Sequence, residues 1–255
     1  MKVQLNKGKS IGKVLYIVEG DSTEPYILQK IFTEIFDYQV ERILRKAGYS
    51  VLNSKEIRTS QVFVINTEQS NIKYIDKDNE YLNNLFRELI EEYDFDVDNA
   101  AIYYLFDRDY RSNKNPEFIK MMLKVLQNAR ENESYDRQGL LLLSYPAIES
   151  FTLANFKEDS FDEKFALGKI LKRHLHEQKF NQSNITDETL MFAIEEVFKA
   201  FNKMKLTNYD IDAFGDCNCD IFDFEENAFA MEKVYNVLSL VGISLIDLGL
   251  VEVIE

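Results

Sequence analysis

Val14-Leu15-Tyr16-Ile17-Val18-Glu19-Gly20-Asp21-Ser22-Thr23-Glu24-Pro25 decides the reading of the whole chain. Its first five residues form a short, β-branched apolar run that stops abruptly at Glu19-Gly20. Such a run, bounded by Gly, reads as a strand buried on both faces. Polar turn residues follow, and a periodic segment opens near Pro25. Glu19 therefore falls at the carboxyl end of a strand, facing the loop before a helix. In open parallel α/β sheets that edge holds the ligand crevice.

Outward from this stretch, Ile27, Leu28, Ile31, Phe32, Ile35, Phe36, Val40, Ile43 and Leu44 recur at helical spacing. They predict a helix over residues 25–47, with Pro25 in its first turn and Gly48 as its cap. Residues 61–66 read as a second strand. Asp78 is placed to cap a helix running to Tyr93, with Leu82, Leu85, Phe86, Leu89 and Ile90 on its buried face. A third strand, Ala100 to Phe106, ends in Asp107-Arg108-Asp109. Asn115-Pro116 is a helix start, a cap followed by Pro at the first position. A fourth strand, Gly139 to Leu143, closes at Ser144-Tyr145-Pro146-Ala147-Ile148-Glu149.

This alternation predicts an α/β domain over residues 12–156, a mostly parallel Rossmann-like sheet flanked by helices. Residues 157–255 are expected to form a mainly helical C-terminal extension. Its helices are expected over 162–180, 187–205 and 224–239, with Ile246 to Ile254 as an edge strand.

Composition narrows the class. The 255 residues are 45% hydrophobic, with 19 Phe and 14 Tyr, which indicates a folded chain. No apolar stretch approaches the roughly 20 residues that span a bilayer. Lysines near the N-terminus are not followed by a signal-peptide pattern, so a cytoplasmic protein without membrane attachment is expected. Cys217 and Cys219 are too close for an ordinary disulfide and suit a reducing compartment. The net charge of −14 repels nucleic acid at long range. It leaves three readings: a carboxylate cluster that binds metal, a basic partner, or no nucleic-acid role.

The acids at strand ends favour the first. Glu19, Asp107, Asp109 and Glu149 each follow an apolar run. Asp107 and Asp109 point to one side if the extended backbone continues through them. Carboxylates gathered at one edge raise one another's pKa unless a cation neutralises them. Hard oxygen donors without neighbouring His or Cys favour Mg²⁺ or Mn²⁺ over zinc. Such a site activates water and stabilises the leaving oxygen in phosphodiester cleavage.

These motifs together resemble a TOPRIM domain. Val18-Glu19-Gly20-Asp21-Ser22-Thr23-Glu24-Pro25 resembles the Glu-Gly-x-x-Thr-Glu-Pro signature of the RloB-like and AbiL-type group, itself similar to OLD-family nucleases. Phe106-Asp107-Arg108-Asp109 is similar to that group's Phe-Asp-x-Asp, and Ser144 to Glu149 to its Ser-Asn-Pro-x-x-Glu. Tyr145 stands where the group has Asn, and Ser150-Phe151-Thr152-Leu153 replaces its aromatic stretch. The resemblance covers residues 12–156. It implies Glu19 as general acid/base or metal ligand, with Asp107 and Asp109 as metal ligands. Glu24 matches a second metal-holding acid, and Glu149 completes the site or positions a water. It further implies a metal-dependent nuclease acting on DNA or RNA, transfer RNA included. That nuclease would be an antiphage, abortive-infection effector working with an ABC- or SMC-like ATPase partner, as in the PARIS system. Homo-oligomerisation is left open. The competing reading is a non-catalytic acidic subunit that regulates that ATPase.

Other features have plainer readings. Gly8-Lys9-Ser10 lacks the first P-loop glycine, since Val3 holds that position. A haloacid-dehalogenase phosphatase also uses Asp-x-Asp, yet Arg111 stands where that family has a small Thr or Val. An acid at Glu24 is favoured by the helix dipole whatever its function. His174 and His176, two apart on a helix, face different directions. Cys217-Asn218-Cys219 reads as a loop before a helix. Lys13, Arg108, Arg111 and Lys114 are the candidate phosphate contacts.

Overall fold

The computed structural model describes residues 1–44, 49–67, 72–75, 80–111, 113–130, 139–206, 210 and 213–254. The chain opens with β1 (Lys2–Leu5) and enters the main sheet at β2 (Lys13–Val18), the strand expected from its apolar run. Helix α1 (Thr23–Lys30) follows and carries Pro25 in its first turn, where a missing N–H costs nothing. The long helix expected over 25–47 does not form. After a π-helical turn at Ile31–Ile35, Asp37 takes a left-handed φ of 58° and reverses the chain. The segment then becomes β3 (Tyr38–Leu44), an antiparallel hairpin with β4 (Tyr49–Ser54). Phe36, Tyr38, Val40 and Leu44 alternate as in a strand, while Phe36, Val40, Ile43 and Leu44 keep helical spacing, so the pattern satisfied both periods. Gly48 and Asp78 lie outside the described residues.

Strand β5 (Gln61–Asn66), helix α2 (Glu80–Tyr93) and strand β6 (Ala101–Asp107) come next. Leu82, Leu85 and Leu89 are buried on α2 as expected, but Ile90 is exposed. Asn115 caps α3 (Pro116–Val125) by accepting the Phe118 N–H at 3.1 Å. The two-residue β7 (Gln127–Asn128) and β8 (Gly139–Tyr145) complete this half.

The main sheet runs β3, β4, β5, β2, β6, β8, with β7 on β8's flank. β5, β2, β6 and β8 are mutually parallel; the β3–β4 hairpin makes one side antiparallel. The fold is thus α/β with a mixed sheet and a parallel core. Every residue in 14–18, 101–106 and 139–145 is buried. Because successive side chains alternate between faces, both faces of these strands are covered.

Beyond Tyr145 the chain forms α4 (Glu149–Phe156), β9 (Lys164–Phe165), α5 (Gly168–Gln178), α6 (Asp187–Lys203) and α7 (Phe214–Glu232). It ends with β10 (Tyr235–Asn236), β11 (Leu238–Ser239), α8 (Val241–Asp247) and β12 (Val251–Ile254). Helix α6 matches its expected span. α5 begins later than expected because β9, paired with β10, occupies the preceding residues. α7 begins ten residues before the expected 224, so Cys217-Asn218-Cys219 is helical. No side-chain cap marks its start at Ala213; tertiary packing fixes it, with buried Asn218 donating to the Leu141 carbonyl at 2.6 Å. The C-terminal strand joins β1, not the main sheet, and α8 takes the first part of the expected edge strand.

The later elements add to the same core. β11 extends the sheet beside β8, and Ser239 shares a buried hydrogen bond with Ser144 at 2.8 Å. On one face Tyr16 stacks on Tyr103, with centroids 5.2 Å apart, and donates to Ser244 of α8 at 3.0 Å. Gly215 seats α7 on β7, where a Cβ would stand 2.5 Å from both the carbonyl oxygen and Cβ of Gln127. Gly215→Ala is therefore expected to cost about 1–3 kcal/mol of overpacking. That corresponds to a Tm drop of roughly 3–10 °C in a chain of this size. A thermal melt showing no drop would mean that α7 does not sit on β7 this closely.

Candidate functional site

The carboxyl ends of β2, β6 and β8 bring the expected acids together. Glu19 leaves β2 and turns across to β6, where its Oε2 accepts the Asp107 N–H at 2.8 Å. Asp107 does the same one strand further on, its Oδ1 accepting the Ile148 N–H at 2.7 Å. Two carboxylates thus stitch three strand ends together. Glu24, in the first turn of α1, folds back so that its Oε1 accepts the Gly20 N–H at 3.1 Å. The glycine makes room for it, since a Cβ there would lie 2.5 Å from Oε2 of Glu24. Asp109 caps its own turn by accepting the Arg111 N–H at 2.8 Å. Glu149 opens α4 and meets Lys172 of α5 at 3.7 Å.

Glu19 and Glu24 are each 6% exposed. Loss of water, followed by repulsion from Glu24 and Asp109, pushes the Glu19 carboxyl from 4.5 up to about 7. Burial, and then the charges of Glu19, Glu24 and Glu149, hold Asp107 well above the usual carboxylate range. Burial, and then Glu149, raises Glu24; burial raises Glu149, with Lys172 opposing. These repulsions link all five acids: Glu19, Asp107, Asp109 and Glu149 follow the ends of β2, β6 and β8, and Glu24 joins them from the first turn of α1.

The donor set is all-carboxylate, which suits a hard divalent cation. Lys172 is the one cation that pairs with any of these acids among the described residues, and it is exposed. As the side chains stand, no group of three or more His, Cys, Asp or Glu among the described residues forms a metal cage. Glu19 and Asp107 each spend one oxygen on a main-chain N–H and keep the other.

The expected phosphate contacts divide. Arg111 and Lys114 are exposed on the loop after β6, at the same edge as the acids. Lys13 is not there. It begins β2, about 20 Å from Glu19 at ~3.3 Å per residue, and donates to the Asp94 carbonyl. Arg108 is fully buried and points into the protein. It pairs with both oxygens of Glu226 at 2.7 and 2.8 Å, donates to the Asn113 carbonyl, and lies over the Phe222 and Tyr235 rings. Alternation puts Arg108 on the other side of the chain from Asp107, and there it meets Glu226 of α7. Tyr145, at the departure from the Asn of the resembled motif, is buried against Tyr235.

Two contributors were not legible in the sequence. Lys172 reaches Glu149 only because α5 packs against α4. The Ile148 N–H is a main-chain group with no residue signature. Comparison of the chain with protein-family models, curated proteins and solved structures gives no match.

Two outcomes are expected. Arg108→Ala strands Glu226 and should cost about 3–5 kcal/mol. Arg108→Met with Glu226→Leu should recover most of it; chemical denaturation reads both. Second, below about pH 4.5 Glu19 is protonated folded and unfolded. Between 4.5 and about 7 the unfolded chain loses that proton first, so stability falls as pH rises. The loss approaches about 3 kcal/mol above pH 7. Thermal melts from pH 5 to 8 should show this slope, and Glu19→Gln should flatten it.

Proposed function

We propose that this chain is a TOPRIM-like, divalent-metal-dependent nuclease. The observation that carries the reading is geometric: Glu19 and Asp107 stand at the carboxyl ends of β2 and β6, Glu149 opens α4 just past β8, and Glu24 folds back onto Gly20. A crowded, water-poor set of acids is costly to keep ionised without a cation, and an α/β sheet opens its ligand crevice on this edge.

Glu19, with its carboxyl near neutrality, is suited to take or give a proton at working pH. Asp107 and Asp109, with Glu24 and Glu149, supply oxygen donors for Mg²⁺ or Mn²⁺. When bound there, such an ion would supply charge neutralisation at the scissile phosphate and a more acidic water. Arg111 and Lys114, exposed on the loop after β6, are the candidate phosphate contacts that remain. The resemblance extends the reading to an antiphage effector that works with an ATPase partner.

A second reading has one observation in its favour. Glu19 and Asp107 both bond main-chain N–H groups, as carboxylates with a purely structural role would. The chain would then be a non-catalytic acidic subunit.

Labelled single-stranded DNA and RNA incubated with Mg²⁺ or Mn²⁺ test the proposal. Cleavage should fall at least about 100-fold in Glu19→Gln and in Asp107→Asn, with circular dichroism unchanged. Full cleavage by both variants would end the nuclease reading. Calorimetry that detects no metal binding would favour the second.

A further inference from the structure

A cleft of about 560 Å³ adjoins the carboxylates on the side of Glu149. Thr23, Glu149 and Thr152 line it together with Lys172, His176 and Lys179 from α5, and the turn after α5 closes it. A small hydrophobic cluster of Leu153, Leu171, Leu175 and Val237 holds α5 in place beneath it.

Its charge is opposite to that of the rest of the chain. From Lys164 to Thr186 there are five basic side chains and one acid, Glu177, in a protein of net charge −14. Both histidines of the chain also lie in this stretch. Lys164 is neutralised by Glu232, and Arg173 by Glu177. Lys179 is exposed and has no ion-pair partner among the described residues. Lys172 is exposed and reaches Glu149 at 3.7 Å, so the positive strip runs directly into the acid cluster. In the wall, the side chain of Thr152 is buried and its hydroxyl has no hydrogen-bond partner. Beyond Lys179, Asn181, Gln182 and Asn184 present amides, each able to donate and to accept.

We propose that this cleft binds a single nucleic-acid strand and leads it to the carboxylates. Lys172 and Lys179 take successive phosphates, and the amides of the 181–184 turn meet base edges. A groove walled by a helix and a turn admits a strand whose bases are free, and unpaired bases offer the edges that amides read. Screening confines the long-range repulsion of the acidic body to about 8–10 Å at physiological salt, so the local strip sets the sign of the contact. The inference deepens the nuclease reading and rests on it for the cutting step alone.

Anisotropy of a labelled single-stranded oligonucleotide, measured in EDTA across a salt series, tests the cleft in the full chain. Lys172→Ala with Lys179→Gly is the informative double variant. Lys179 has a left-handed φ of 59° at the end of α5, so glycine there removes the charge without backbone strain. Affinity should fall about tenfold, and the salt slope by about 1.4, near 0.7 for each lost phosphate contact. A control, Lys55→Ala with Arg58→Ala in the cleft at the opposite sheet edge, should bind as wild type.

No binding by wild type, an unchanged double variant, or an equal loss in the control would overturn the assignment. So would a duplex that binds as tightly as the strand, or polyglutamate that competes equally at matched charge. Glu19→Gln separates the two readings. Binding that depends on the cleft while no form of the protein cleaves removes the nuclease reading and leaves the cleft standing. Cleavage lost in Glu19→Gln but unchanged in the lysine variant removes the cleft and leaves the nuclease.

Discussion

Two carboxylate-to-main-chain hydrogen bonds govern this molecule's working edge. Glu19 accepts from Asp107, and Asp107 from Ile148. A bond from an N–H to an ionised acceptor contributes about 1.5–3 kcal/mol, but only while the acceptor keeps its charge. Burial and neighbouring acids push both carboxyls towards protonation. The same groups that join three strand ends are therefore pushed towards a neutral form, whose carbonyl oxygen still accepts but more weakly. A structure that needed only a staple would gain more from a neutral donor-acceptor pair at these positions. The acids impose a cost that a cation would relieve, and that asymmetry supports a site over a scaffold.

The parallel strands were legible because burial on both faces leaves a mark that local reading can catch: unbroken apolar runs ending in Gly or acid. Val14 to Val18 and Ala101 to Phe106 are such runs, and the acids after them fell on the expected edge. What misled was periodicity in residues 36–44, where apolar spacing fits a helix and a strand alike. Asp37, by accepting a left-handed φ, turned the chain and settled the matter. No pattern in the sequence states that a non-glycine residue will take that conformation.

The site divides along the same line. Acids attached to strand ends were visible because a strand end has a sequence signature. Arg108 was misread as a ligand contact because its place in the motif says nothing of Glu226, 118 residues away, which draws it inward. Lys172 has no signature in the sequence that sets it apart from the other lysines. Its meeting with Glu149 depends on how α5 packs on α4, and Leu171 and Leu175, which determine that packing, look like any amphipathic helix.

The location of charge resolves the difficulty posed by its total. A surplus of acid spread over the body repels a polyanion from most directions, and weakly so beyond a Debye length. The basic side chains of α5 and Lys179 at its end give this face a local sign opposite to the total. Arg108, buried and neutralised, adds nothing there, while Lys179 contributes in full. On the proposed reading, acidity elsewhere would favour selectivity, suppressing nonproductive contact and turning an incoming strand towards the cleft beside Glu149. On this argument, the net charge that first counted against a nucleic-acid ligand is what restricts where such a ligand can sit.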